Sequence, residues 1–138
     1  RGLVIGLVAD DVFFASGSAQ LTTTATAVLD AIAPAVVGLP DEISVEGHAD
    51  VVPISGRYPT NWELSADRAT QVLRHFVERN GIAGGRIEAT GFGDARPVGN
   101  GTDAQSLALN RRVDVVVLSS APEQVRALVP VIAAAAGG

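Results

Sequence analysis

Leu3 to Ala9 is a short apolar run, far below the about 20 residues of a membrane span, and it reads as a strand. Leu21, Ala25, Val28, Leu29, Ile32 and Val36 then recur at helical spacing, with Thr22 to Thr24 as caps and Gly38 with Pro40 as the stop. Pro34 falls inside this pattern, so a kink or an early break is expected there. Ile43, Val45 and Gly47 alternate with Ser44, Glu46 and His48, the period of a short strand. Pro53, Gly56 and Pro59 keep Val51 to Thr60 as loop. A second helix runs from Asn61 to about Asn80, closed by Gly81. Leu64, Ala69, Val72, Leu73 and Phe76 share one face, and Glu63, Asp67, Gln71, Arg74 and Glu78 the other. Ile87 and Ala89 mark a third strand ended by Gly91-Phe92-Gly93. Arg96 to Thr102 is loop, Asp103 to Leu109 a short helix, and Val113, Val115 and Val117 the last strand. Helices alternating with strands predict a sheet layered against helices, an α+β sandwich. Ala121 to Gly138 reads as a weak helix interrupted by Pro130, of no evident role.

Composition narrows the function. The 138 residues are 47% hydrophobic and 18% charged, a globular balance with enough chain for one core. A net charge of −5 argues against gripping a nucleic-acid backbone, which needs clustered cations. The absence of cysteine excludes disulfides and thiolate metal sites. The chain opens at Arg1 with no signal-peptide pattern. We expect a fragment whose targeting segment lies upstream.

Chemistry concentrates in Val45-Glu46-Gly47-His48-Ala49-Asp50 and, after the Pro/Gly loop, in Asn61-Trp62-Glu63-Leu64-Ser65-Ala66-Asp67-Arg68-Ala69. A carboxylate, Asp50, stands just past a strand end, and a guanidinium, Arg68, sits two turns into the next helix. On the helical wheel Arg68 lies between Leu64 and Val72, at the edge of the apolar face. A charge there is solvated by reaching past its neighbours, paired with Asp50, or held for a ligand. The pattern alone leaves these readings open.

Gly47-His48-Ala49-Asp50, then Asn61-x-x-Leu64-Ser65-x-x-Arg68-Ala69, then Asn110-Arg111-Arg112-Val113 resemble, in order, three motifs of the OmpA-like peptidoglycan-binding family. The resemblance covers roughly residues 13–118. It leaves 1–12 as an entry segment with the first strand and 119–138 as a tail. It implies a βαβαβ(α)β fold with a mixed four-stranded sheet packed against helices. It also implies noncovalent grip on peptidoglycan with no catalysis and no cofactor. Asp50 and Arg68 would clamp the diaminopimelate of the stem peptide, whose free end carries an ammonium and a carboxylate. Asn61, a candidate helix cap, and Leu64 and Arg111 complete the implied binding set. Ala49 stands where the family usually has threonine, and Leu107 where it usually has arginine.

The long loop from Val51 to Thr60, running into Asn61-Trp62-Glu63-Leu64-Ser65, resembles the MotB, or flagellar stator, branch of that family. The openings Arg1-Gly2-Leu3-Val4-Ile5 and Phe13-Phe14-Ala15-Ser16-Gly17-Ser18-Ala19 resemble the same branch. This implies a homodimer on the outer side of the cell membrane, in the periplasm, as part of the flagellar motor. It further implies an upstream membrane helix that meets a MotA-type stator subunit. A general wall anchor outside motility is the alternative, and a wall hydrolase a remote one.

Other residues carry less. His48 and His75 would need a third ligand to hold zinc, and none is evident, so His48 is read as a hydrogen-bonding support for the strand-end loop. Trp62 stacks on a sugar or packs at the helix start, and the pattern favours packing. Gly91-Phe92-Gly93 lacks the rest of a phosphate-loop fingerprint. Ser16, Ser18, Ser55 and Ser65 have no nucleophile-elbow context.

Overall fold

The computed structural model describes residues 4–8, 13–98 and 101–118, with backbone alone at residues 5–8. The expected tail helix beyond residue 118 lies outside them. The elements run β1 (Val4–Val8), α1 (Thr23–Val37), β2 (Ile43–His48), α2 (Asn61–Glu78), β3 (Ile87–Gly91), α3 (Ala104–Asn110) and β4 (Arg112–Val117). A 3-10 turn at Gly84–Arg86, not foreseen from the sequence, leads into β3.

The four strands form one mixed sheet in the order β1-β4-β2-β3. β2 and β3 are parallel, joined through α2, as a crossover connection requires. β4 returns between β1 and β2, antiparallel to both, with Val45 opposite Val115 and Ile5 also opposite Val115. One face of the sheet presents Ile43, Val45, Ile87, Val113, Val115 and Val117. These pack with Leu29, Ile32 and Val36 of α1, Val72 and Phe76 of α2, and the fully buried Phe13 and Phe14.

Helix α1 runs through Pro34 without the expected early break and ends at Val37. Pro34 is on the exposed side, so the carbonyl it deprives of a partner faces water. On the other side Ile32, Ala33 and Val36 are buried and hold the last turn in register. Arg86 closes the connection to β2 by donating to the Asp41 carbonyl (2.8 and 3.2 Å) and the Val36 carbonyl (3.3 Å).

The alternation in β2 implies one solvated face, yet all six residues are buried. β2 is a central strand. On its polar face Glu46 sits opposite Asp114, and His48 opposite Arg112. Two carboxylates thus face each other across the strands, with an imidazole and a guanidinium beside them. Arg112 donates to Asp114 at 3.2 Å, and the His48 ring stacks on Phe92 at 5.2 Å between centroids.

Candidate ligand-binding site

Asp50 follows the last residue pair of β2 and is only 7% exposed. One carboxylate oxygen, Oδ1, accepts from the Val52 backbone N–H at 2.9 Å; the other, Oδ2, accepts from Arg111 at 2.7 Å. Two charge-assisted bonds fix the carboxylate's orientation. Arg111 comes from the junction of α3 and β4, and its side chain is 34% exposed, so this ion pair is half in water.

Arg68 is 5% exposed, a depth that rules out a solvated, snorkelling guanidinium. It engages backbone carbonyls of the segment before α1 and an aromatic ring. Arg68 Nε donates to the Ser18 carbonyl at 2.8 Å, its terminal nitrogen donates to the Ala15 carbonyl at 3.2 Å, and the guanidinium lies 4.9 Å over the Phe14 ring. Residues 13–22 form a tight reversal, with Thr22 N–H donating to the Phe13 carbonyl and Gly17 at φ 68° in its bend. Arg68 therefore ties this reversal to α2.

Asn61 was expected as a helix cap, but Thr60 takes that role. The Thr60 hydroxyl accepts from Trp62 N–H, and Glu63 folds back on the Thr60 N–H, a capping box. Asn61 instead uses its side-chain amide to hold the loop, donating to the Val52 carbonyl at 2.9 Å and the Asp50 carbonyl at 3.3 Å. The loop is braced again by a small cluster of Ala19, Ile54, Tyr58 and Leu64. The Tyr58 hydroxyl donates to Asp67 at 2.5 Å.

Asp50, Asn61, Leu64, Arg68 and Arg111, the five residues singled out from sequence, all line one cavity of about 380 Å³. They come from a strand end, a helix face and a second helix end, so the fold rather than chain proximity assembles them. Phe14, Ser16 and Gly17 form part of the wall and were not foreseen. The segment carrying them was noticed as a motif, but Arg68 grips it through backbone carbonyls, which leave no mark in a sequence. The cavity holds one carboxylate and two guanidiniums, mixed charge with a positive excess. It suits a small ligand bearing an ammonium and more than one carboxylate. The third motif divides its labour. Asn110, buried, accepts from Val98 N–H at 2.7 Å and holds the loop before α3; Arg111 reaches Asp50; Arg112 pairs in the sheet.

The remaining candidates resolve differently. His75 pairs with Asp30 at 2.7 Å and does not approach His48 as a co-ligand. His48 is 3.6 Å from Asp114, and Glu46, His48 and Asp114 bring donor atoms within 4.8 Å of one another, a grouping the sequence reading did not find. Arg112 already brings a cation to Asp114 there. Backbone bonds also brace the strand-end loop: Ala49 N–H donates to the Gly93 carbonyl at 2.7 Å and Phe92 N–H to the Gly47 carbonyl at 2.9 Å. Trp62 packs against Gly93 near the helix start yet remains 51% exposed. Among the described residues no helix is long and apolar enough to cross a membrane.

The chain is similar to several known proteins. The sequence profile of the OmpA family matches residues 13–111. The uncharacterized protein YtxE of Bacillus subtilis is 37% identical over 121 residues, covering 87% of this chain and 50% of that protein. Motility protein B of the same organism is 31% identical over 120 residues, covering 86% of this chain and 46% of that protein. The chain thus spans about half the length of these relatives. Among solved structures, the cell wall anchor of the T6SS from Pseudomonas aeruginosa superposes with a TM-score of 0.76 at 37% identity, covering 83% of this chain and 79% of that one.

Proposed function

The chain belongs to the OmpA family, and on that footing we propose that it binds peptidoglycan noncovalently and without catalysis, anchoring a stator-type complex to the cell wall. The observation that carries this reading is the convergence of Asp50, Asn61, Leu64, Arg68 and Arg111 on one cavity of mixed charge. Diaminopimelate in a stem peptide offers an ammonium to Asp50 and a carboxylate to Arg68, with Arg111 positioned to hold Asp50 or a second carboxylate. A planar guanidinium recognises a carboxylate by paired hydrogen bonds, and burial strengthens both contacts.

Similarity to motility protein B supports the stator role. That role places the domain outside the cell membrane, as a homodimer, with the membrane segment and the MotA-type partner contributed by the rest of the protein. Two linked sites on one polymer raise the effective concentration and compensate for a modest single-site affinity. Similarity to the T6SS cell wall anchor supports a second reading, a wall anchor outside motility. Grafting this domain onto the membrane half of a motility protein B and scoring swimming separates the two.

The primary test is co-sedimentation with purified sacculi of diaminopimelate type. Wild type should pellet and release no soluble muropeptide. Asp50→Asn should stay in solution while retaining its circular dichroism spectrum. Equal pelleting of both would place the grip elsewhere, and muropeptide release would revive a hydrolase.

A further inference from the structure

Beside the charged cavity lies a second depression of about 290 Å³, walled by Val51, Pro53, Pro59 and Trp62 and edged by Thr60 and Asp94. Ile54 and Asn61 line both, so the two adjoin and share a rim at these residues. We propose that this groove is a saccharide subsite, in which the Trp62 ring stacks on a sugar of the glycan strand while the stem peptide occupies the charged cavity. The inference rests on the peptidoglycan reading above and extends it to the other half of the polymer.

The Trp62 ring is built as a platform. A Cβ added to Gly93 would lie 3.0–3.2 Å from Trp62 Cδ2, Cε2 and Cε3, so one face of the indole rests on the backbone of Gly93, itself at φ 56°. Glycine there both permits the turn and lets the ring lie flat. With one face seated and 51% of the residue exposed, the other side is presented to solvent. The helix start is fixed by the Thr60–Glu63 capping box, so the ring's position is set before any ligand arrives.

The chemistry of the groove suits a pyranose. Sugars have an apolar C–H face that packs on an aromatic ring and a rim of hydroxyl and acetamido groups. Here the floor is aromatic and proline, and the Asp94 carboxylate at the edge accepts from hydroxyls. The size sits at the small end of ligand pockets, about 300–1,000 Å³, room for a ring and not for a folded peptide. Connectivity adds the decisive constraint. A stem peptide is covalently joined to its glycan, so a peptide seated against Asp50 must leave the cavity toward the sugar, and the shared rim at Ile54 and Asn61 offers that exit.

The test compares two probes: a diaminopimelate tetrapeptide, and the same tetrapeptide carrying its N-acetylglucosaminyl-N-acetylmuramyl disaccharide. Trp62 is the chain's single tryptophan, so its fluorescence reports on this groove alone. Wild type should bind the disaccharide form roughly three- to tenfold more tightly, the range expected of one aromatic stacking contact. Only that form should shift the emission. By calorimetry, Trp62→Ala should bind both probes equally with the free-peptide affinity unchanged, and Trp62→Phe should retain most of the preference. Equal affinities in wild type, or a preference that survives Trp62→Ala, overturns the subsite and leaves the peptide cavity standing. Dimerisation lost in Trp62→Ala with the sugar preference intact assigns the groove to a second copy instead and also overturns it. Failure of folded wild type to bind either probe removes the peptidoglycan reading, and the subsite with it.

Discussion

Asp50 and Arg111 stand 61 positions apart in the chain and meet at 2.7 Å. The contact joins the end of β2 to the end of α3, and thereby the first sequence motif to the third. Because Arg111 is 34% exposed and Asp50 is buried, the pair serves the carboxylate more than the guanidinium. Arg111 keeps a desolvated charge neutralised and aimed into the cavity.

A double-mutant cycle measures that service. Arg111→Ala should lower the unfolding free energy by about 1–2 kcal/mol, a buried acceptor losing a charged, partly solvent-screened partner. In an Asp50→Asn background the same change should cost much less. Urea denaturation of the four proteins gives the coupling. Additivity within about 0.5 kcal/mol would show that Arg111 is not what holds Asp50.

Arg68 faces a different consequence. Its side chain bonds two carbonyls of the 13–22 reversal and covers Phe14, so it stabilises the cavity wall as well as facing the cavity. Arg68→Ala should cost about 2–4 kcal/mol, from two charged hydrogen bonds and a cation–π contact. The amides of residues 18 and 22 should exchange faster. Arg68→Lys, which keeps the charge without the planar fork, should recover only part of this. Unchanged unfolding in Arg68→Ala would show that the reversal is held by its own packing.

Where sequence and structure agree, periodicity or local chemistry carried the information. Val72 and Phe76 recur at helical spacing, and the helix they predict is α2. Asp50 and Arg68 stood out as charges at a strand end and an apolar helix edge, while Arg111 and the grouping of all three came from the family resemblance. The partners themselves were not legible. Arg68 binds backbone carbonyls, which every residue possesses, and its contact with Ser18 spans 50 positions. Asn61 failed as a cap because Thr60 is one residue earlier with Glu63 in reach, a competition between two good capping residues. Pro34 did not break α1 because the cost of a lost bond depends on which side of the helix faces water, a tertiary property. The burial of Glu46 and His48 depended likewise on β2 being a central strand.

Tyr58 and Asp67 give the protein a pH signature. Burial pushes the Asp67 carboxyl up, but hydrogen bonds from Tyr58 and Gln71, with Arg57 nearby, outweigh it, and the net direction is down from 3.8. Burial, and then the bond to Asp67, push the Tyr58 hydroxyl up from 10.0. A depressed carboxylate contributes stability above its unfolded value and loses it as pH falls through the folded one. A raised phenol contributes below its unfolded value and loses it as pH rises through the folded one. Wild type should therefore exceed Tyr58→Phe by about 1 kcal/mol at neutral pH. The difference should shrink below the ordinary carboxylate range and again above the ordinary tyrosine range. Thermal melts of both proteins across pH would show it; a difference independent of pH would mean that the bond contributes only by packing.

The placement of α2 depends on two glycines that touch no ligand. A Cβ on Gly47 would lie 2.0 Å from the Ser65 carbonyl oxygen, and one on Gly91 would lie 2.5–2.7 Å from Ala66 N, Cα and Cβ. Both close approaches let the second turn of the helix settle onto the ends of β2 and β3, which sets how near Leu64 and Arg68 come to Asp50. An added methyl can only be accommodated by lifting the helix, since the nearest obstructing atoms are backbone. Gly47→Ala and Gly91→Ala should each cost about 1–3 kcal/mol of stability. They should also weaken sacculus binding although every charged residue of the cavity is intact. Gly85→Ala is the control: its added Cβ would meet nothing within 4 Å, so stability and binding should both be retained. Gly91→Ala binding sacculi as wild type does would show that the cavity tolerates displacement of α2, and that affinity is set by the charges and not by the depth at which the fold seats them.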